Sequence, residues 1–145
     1  MISSTRYFIE MAIQVGRKSK CKKNKVGTVI TDKYNRVIST GYNGSPKGTL
    51  NKCEDDNDVT YLTTIHSEQN AILFAKQDLE GCILYCTLSP CLKCAAFMVQ
   101  AGISKVYYLN EYRDTRGIDY LTRYDIEVRR TCYKDLLEMS AIKLR

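Results

Sequence analysis

The sequence contains no tryptophan, only three phenylalanines and a single histidine, and no apolar run approaches the ~18 residues that a membrane span needs. Each shortage excludes something. Without such a run no transmembrane helix is expected, and the N-terminus lacks the apolar core of a secretory signal, so the expectation is a cytoplasmic protein. One histidine rules out a zinc finger built on two cysteines and two histidines. A pocket that receives a base flipped out of a strand is walled by aromatic or apolar side chains, and here mainly the eleven tyrosines could supply aromatic walls. Internal repeats and low-complexity tracts are also missing.

What is present suits one domain, residues 1–145, with 44% apolar composition and length enough for a core. The seven cysteines are an odd number, and several fall inside apparent strands or in a ligand-like motif, which predicts reduced thiols rather than a disulfide framework. Cys82 and Cys86 share one strand face by period-2 spacing and read as buried, inert thiols. The net charge of +6 is uneven. Arg17, Lys18, Lys20, Lys22, Lys23 and Lys25 form one basic group and Arg113, Arg116, Arg123, Arg129 and Arg130 a second. Such an excess suits phosphorylated or polyanionic ligands, although the second group reads as a solvated face.

The chemistry concentrates in His66-Ser67-Glu68 and Ser89-Pro90-Cys91-Leu92-Lys93-Cys94. One imidazole and two thiolates, from His66, Cys91 and Cys94, supply three of the four ligands of a tetrahedral Zn2+ and leave the fourth position for water, the pattern of a catalytic rather than a structural zinc. Glu68, two residues past the histidine, is placed to serve as general base and proton shuttle. A site made of four cysteines would leave the histidine and glutamate idle, and a redox C-x-x-C is not expected to have proline directly before its first cysteine.

The local pattern predicts how these residues are carried. Thr63 or Thr64 caps a helix with its stripe at Glu68, Ile72, Ala75 and Leu79. Ser89 caps the next helix, Pro90 opens it and Gly102 stops it, so both cysteines fall in the opening turns, where the helix dipole favours thiolate. Elsewhere, Ser3 or Ser4 starts a helix that buries Phe8, Met11, Ala12 and Val15 and ends near Gly16. Val26 to Ile30 and Arg36 to Thr40 form a hairpin, and Gly41 to Asp58 is a long irregular loop of the kind that is usually functional. Cys82 to Thr87 and Lys105 to Leu109 are parallel strands around the cysteine helix. A short helix over Gly117 to Tyr124, a strand over Ile126 to Arg130 and a final helix over Tyr133 to Leu144 follow. The expected fold class is α/β, a three-layer α/β/α sandwich around a five-stranded mixed sheet.

With Gly-Tyr-Asn-Gly-Ser-Pro at 41–46, His66-Ser67-Glu68-Gln69-Asn70-Ala71-Ile72, Leu88 to Cys94 and Gln100-Ala101-Gly102-Ile103 in this order, the chain resembles deoxycytidylate (dCMP) deaminases of the cytidine deaminase superfamily over roughly residues 5 to 130. H-x-E…P-C-x-x-C belongs to the whole superfamily; the 41–46 loop and Lys25-Val26-Gly27 point to the dCMP branch. The resemblance implies a cytidine deaminase-like fold and hydrolysis of dCMP to dUMP and ammonia. In that role Glu68 is catalytic and His66, Cys91 and Cys94 hold zinc. It further implies substrate contacts from Asn43, Tyr112, Lys25 and Ser89. As effectors it implies dCTP as activator and dTTP as inhibitor, taken with Mg2+ around Gly41, Tyr42, Asn43 and Gly44 with Lys18 and Lys20, in a homohexamer. Some members bind a second, structural zinc through cysteines at positions like Cys21 and Cys53 together with histidines. With no second histidine that site is not expected here unless Glu54, Asp55 or Asp56 substitutes. The helix from Tyr133 has no counterpart in the pattern.

Two other functions compete. A nucleic-acid deaminase acting on tRNA or single-stranded DNA would use the basic surface against a phosphate backbone, and the scarcity of large aromatics speaks against it. A non-catalytic zinc-binding module would leave Glu68 without a task.

Overall fold

The computed structural model describes residues 1–131; the helix expected over Tyr133 to Leu144 lies outside them. In chain order the elements are α1 (Ser4–Gly16), β1 (Gly27–Thr31), β2 (Val37–Tyr42), α2 (Ser67–Phe74), β3 (Ile83–Leu88), α3 (Leu92–Ala101), β4 (Lys105–Asn110), α4 (Arg116–Arg123) and β5 (Glu127–Arg130). The strands make one five-stranded sheet ordered β2-β1-β3-β4-β5. β1 runs antiparallel to both β2 and β3, whereas β3, β4 and β5 are parallel.

Alternating side chains divide the core into two layers, as the period of two along a strand requires. Val29, Tyr85 and Leu109 point to the face covered by α1, where they meet Phe8, Ile9 and Ala12. Ile30, Leu84, Cys86 and Val106 point to the other face, against Ala71 of α2, Ala95 and Met98 of α3 and Leu121 of α4. Every residue of β1 is buried, as expected of a strand covered on both sides. The three-layer sandwich expected from the sequence is therefore the observed fold. The hairpin closes through Asp32, whose carboxylate accepts the N–H groups of Tyr34 and Arg36, and through Asn35 at φ 64°, a left-handed position that asparagine tolerates.

Strand directions gather the loops at one end. The entry to β1, the exit from β2 and the exits from β3 and β4 all lie at the same edge of the sheet, because Gly27 pairs with Tyr42 and Thr28 with Cys86 while Leu88 pairs with Asn110. Crevices beyond the carboxyl ends of parallel strands are where such folds bind ligands.

The helices start later than the sequence suggested. α2 is capped by His66, not Thr63 or Thr64: His66 is extended (φ −75°, ψ 156°) and the Gln69 side-chain oxygen accepts its N–H at 2.8 Å. The helix stops at Ala75, since Lys76 turns left-handed at φ 57°, so Leu79 is buried outside it. α3 is capped by Cys91 rather than Ser89; the Ser89 hydroxyl instead accepts the Tyr112 N–H at 2.7 Å. Gly102 ends α3 as expected, left-handed at φ 81°.

Gly41, expected to face a nucleotide, has a packing task. A Cβ there would strike the Ser67 carbonyl and the Ala71 N–H, so the missing side chain lets α2 settle on β2. Gly41→Ala should destabilise the protein by about 1–3 kcal/mol, the usual range for overpacking a closed contact. A thermal melt superimposable on the wild type's would show that α2 does not depend on this approach.

Candidate functional site

Two helix N-termini meet at the gathered loops. His66 caps α2 and Cys91 caps α3, with Cys94 in the first turn of α3. His66 Nδ1 lies 3.2 Å from Cys94 Sγ and 3.6 Å from Cys91 Sγ, and the three donor atoms fall within 4.8 Å of one another. Around a tetrahedral Zn2+ with the usual bond lengths, nitrogen and sulfur ligands stand about 3.6 Å apart. The arrangement therefore fits a zinc ion. Cys91 at the helix N-terminus receives the Cys94 backbone N–H, which together with the helix dipole favours its thiolate. A hydrogen bond from Cys94, assisted by His66, pushes the Cys91 thiol down to about 4, while Cys94, which keeps the shared proton and is buried, is pushed up. The bond with Cys91 also raises the His66 imidazole.

Glu68 follows in the first turn of α2 and is only 4% exposed. Burial raises its carboxyl above the ordinary range, and the Ser67 hydroxyl opposes that shift. A carboxyl so placed holds and releases protons more readily near neutrality than an exposed glutamate.

These residues form one wall of a cavity of about 610 Å³, a size suited to a small molecule. Asn43, Lys23 and Asn24 line it from one side and Ser89, Tyr112 and Arg113 from another. Asn43 Oδ1 accepts the Val26 N–H and its Nδ2 donates to the Asn24 carbonyl, leaving one lone pair and one N–H of the amide for a ligand. Lys25 is turned away: its ammonium donates to the Ser19 and Cys21 carbonyls, and it borders a separate cleft of about 250 Å³ with Arg17. Of the residues expected around an effector, Asn43 alone reaches the large cavity. Lys18, Lys20 and Tyr42 are exposed, and the Gly44 N–H is donated to Ile65.

Sequence reading missed Arg113, whose guanidinium lies 5.8 Å from the Tyr112 ring centre; its neighbours in composition suggest a solvated basic face, although its position beside Tyr112 is a usable signal. It also missed Lys23, one of a crowded basic run, and the pairing of two cysteines. Cys21 and Cys53 are joined in a disulfide with Cα atoms 5.1 Å apart, correcting the expectation that the thiols are all reduced. Pairing across 32 residues cannot be read from spacing; it arises because the 43–65 loop folds back over the basic loop, where Glu54 accepts the Lys22 N–H. The buried Glu54, one of the acids named as a substitute ligand, has its carboxylate within 4.8 Å of both sulfurs, so the three residues group as a metal site would require once the sulfurs are reduced. Cys82 and Cys86 are free and buried as expected, and burial pushes the Cys86 thiol well up.

Among the described residues no helix is long and apolar enough to cross a membrane. A family model for the cytidine and deoxycytidylate deaminase zinc-binding region matches residues 2–110. An uncharacterized deaminase of Aliivibrio fischeri is 48% identical over 116 residues, covering 79% of this chain and 78% of that protein. The deoxycytidylate deaminase of Saccharomyces cerevisiae is 37% identical over 141 residues, covering 89% of this chain but 45% of the yeast protein; this chain thus spans less than half of that relative. The crystal structure of dCMP deaminase from the cyanophage S-TIM5 in complex with dCMP and dUMP superposes with a TM-score of 0.82 at 36% identity, covering 86% of this chain and 94% of that one.

The donor set makes metal content a direct measurement. Purified protein should hold about one zinc per chain, and His66→Ala or Cys91→Ala should lose most of it together with some thermal stability, because a site deprived of one of three protein ligands binds far more weakly. Full zinc occupancy in either variant would exclude that residue as a ligand.

Proposed function

The chain belongs to the cytidine and deoxycytidylate deaminase family and is a zinc-dependent deaminase, and on that footing we propose that it hydrolyses dCMP to dUMP and ammonia. The observation that carries this reading is one cavity lined by His66 and Cys91 of the zinc donor set, by the buried Glu68, and by Lys23, Tyr112 and Arg113, which offer cations and a ring. The likeness to a phage enzyme crystallised with dCMP and dUMP supports the same substrate.

Zinc in such a site supplies Lewis acidity that lets water attack at neutral pH. The chain's own residues do the rest. Glu68 accepts one proton from the attacking water and delivers it to the ring nitrogen N3, then carries that water's second proton from the new C4 hydroxyl to the exocyclic amine, so that the C4–N bond breaks, ammonia leaves and C4=O forms. The free N–H and lone pair of Asn43 suit a deoxyribose hydroxyl, which both donates and accepts. The 5′-phosphate is held by Arg113 and Lys23, with Tyr112 alongside. Lys25, by contrast, acts through the backbone of the basic loop. Glu68→Gln should keep its zinc yet release no ammonia, since an amide cannot accept the proton while the ligand set is untouched; loss of metal in that variant would refute the assignment.

A charge-assisted phosphate contact contributes ~1.5–3 kcal/mol, roughly ten- to a hundredfold in efficiency. Deamination of dCMP should therefore exceed that of deoxycytidine by at least that factor in kcat/KM, and Arg113→Ala should remove most of the difference. Equal efficiency on the nucleoside and its monophosphate would rule out a phosphate subsite. An oligonucleotide deaminated faster than dCMP would favour the nucleic-acid reading instead.

Regulation is the finer part of the proposal. The cations from Arg17 to Lys25 outnumber what one monophosphate needs, and Asn43 links the basic loop to the substrate cavity, which gives a shared element for coupling. The reading is a homohexamer activated by dCTP with Mg2+ and inhibited by dTTP. Initial rates against dCMP should be sigmoidal alone, hyperbolic with dCTP and Mg2+, and depressed by dTTP. A hyperbolic curve indifferent to both triphosphates, from a monomeric protein, would sink the regulatory part and leave the deaminase reading standing.

A further inference from the structure

Behind Glu68 lies a chain of hydroxyl groups that the proposed reaction does not use. Ser67 Oγ donates to Glu68 Oε1 at 2.5 Å, and Thr28 Oγ1 lies 2.8 Å from Ser67 Oγ. Thr28 and Ser67 are fully buried and Glu68 nearly so. A hydroxyl carries one hydrogen. Because that of Ser67 goes to the carboxylate, the hydrogen between Ser67 and Thr28 must come from Thr28, so the relay has one direction, from Thr28 through Ser67 to Glu68.

We propose that this relay fixes the Glu68 carboxylate in its working orientation, making Ser67 and Thr28 positioning residues of the deamination; the proposal rests on the deaminase reading given above. Adjacent residues of a helix do not face each other, so a Glu68 side chain left to itself has no reason to turn back towards Ser67. Held by one oxygen at the wall of the cavity it lines, it has its other oxygen for the reaction. The same oxygen must meet the attacking water, N3 and the leaving amine in turn, and a misplacement of about 1 Å in such a geometry costs on the order of a hundredfold. The two hydroxyls keep their protons throughout; they orient the base and transfer nothing.

The anchor at the far end is rigid. Thr28 belongs to β1, which is paired on both sides, with Gly41 of β2 and Cys86 of β3 opposite it. Ser67 sits over this pair: its carbonyl occupies the space left by the missing Gly41 side chain while its hydroxyl reaches the neighbouring Thr28. The N-terminus of α2 is thus seated on the sheet by one backbone contact and one hydrogen bond from adjacent strands. His66 precedes that seat and Glu68 follows it.

Three substitutions separate positioning from packing, read by dCMP kinetics, zinc content, thermal melting and a crystal structure of the zinc-loaded protein. Ser67→Ala should lower kcat about ten- to a hundredfold, within the range of general acid–base contributions, with KM within about twofold, one zinc per chain and the Glu68 carboxylate displaced. Thr28→Val is nearly isosteric and lacks the hydroxyl; it should lower kcat several-fold. Thr28→Ser keeps the hydroxyl, loses the methyl and should recover most of that loss. If packing were what mattered, Thr28→Ser would be the worse of the two, and that order would overturn the proposal. So would a zinc-loaded Ser67→Ala protein with kcat within twofold of wild type. If wild-type protein releases no ammonia from dCMP, the substrate reading fails first. The relay is then judged by the crystal structures alone, where an unmoved Glu68 carboxylate in Ser67→Ala overturns it and a displaced one sustains it.

Discussion

The site depends on two helix N-termini pressed together at one edge of the sheet. Each brings unpaired N–H groups and the positive end of a helix dipole, and each is capped by a residue with metal-binding chemistry, His66 on α2 and Cys91 on α3. Ordinarily a cap residue spends its side chain on the first turn. Here both cap residues serve two ends: the His66 side chain joins a capping box with Gln69 and Cys91 meets the Cys94 N–H, while the sulfurs and the imidazole also turn towards each other. Gln69 completes the capping box by accepting the His66 N–H, which fixes the imidazole beside the partner helix. The positive potential that would suit a capping carboxylate instead stabilises thiolates, and the local fold and the donor set are a single arrangement.

Glu68 imposes the opposite demand, because burying a carboxyl is unfavourable unless something answers it. Its answer comes first from the Ser67 hydroxyl, backed by Thr28, then from its own backbone N–H and the His66 imidazole, with no lysine or arginine among these partners. A buried lysine or arginine in contact would favour the permanently ionised form. Hydroxyls support the carboxylate without neutralising it, which leaves a group able to take up and give back a proton. The same economy governs Asn43, pinned by two main-chain bonds yet retaining half of its hydrogen-bonding capacity.

The zinc donors and Glu68 were legible because their spacing along the chain is short and their chemistry distinctive. The sheet was legible because its strands are rich in apolar and β-branched residues bounded by turn signals. Helix starts were not: Thr64 and Ser89 have the side chains of caps, but Thr64 donates its hydroxyl to Cys53 and Ser89 accepts from Tyr112, tertiary partners that no local rule anticipates. Lys25 turns to the backbone of the basic loop while Arg113 lines the cavity, for a related reason. A cation's task depends on which way a loop folds, and in a run of six basic residues the sequence cannot rank them. The disulfide of Cys21 and Cys53 depends likewise on the path of the long loop, whose two isolated bridges, Gly44 with Ile65 and Glu54 with Thr60, have no periodic signature.

The three candidate metal donors run from the cap of α2 to the first turn of α3, while two of the three parallel strands, β4 and β5, come afterwards in the chain. During synthesis the antiparallel hairpin, α2, β3 and the full donor set are therefore complete before β4 has been made. Domains generally fold as units, so the donor cluster and the strands β4 and β5 that follow it in the chain belong to one folding event.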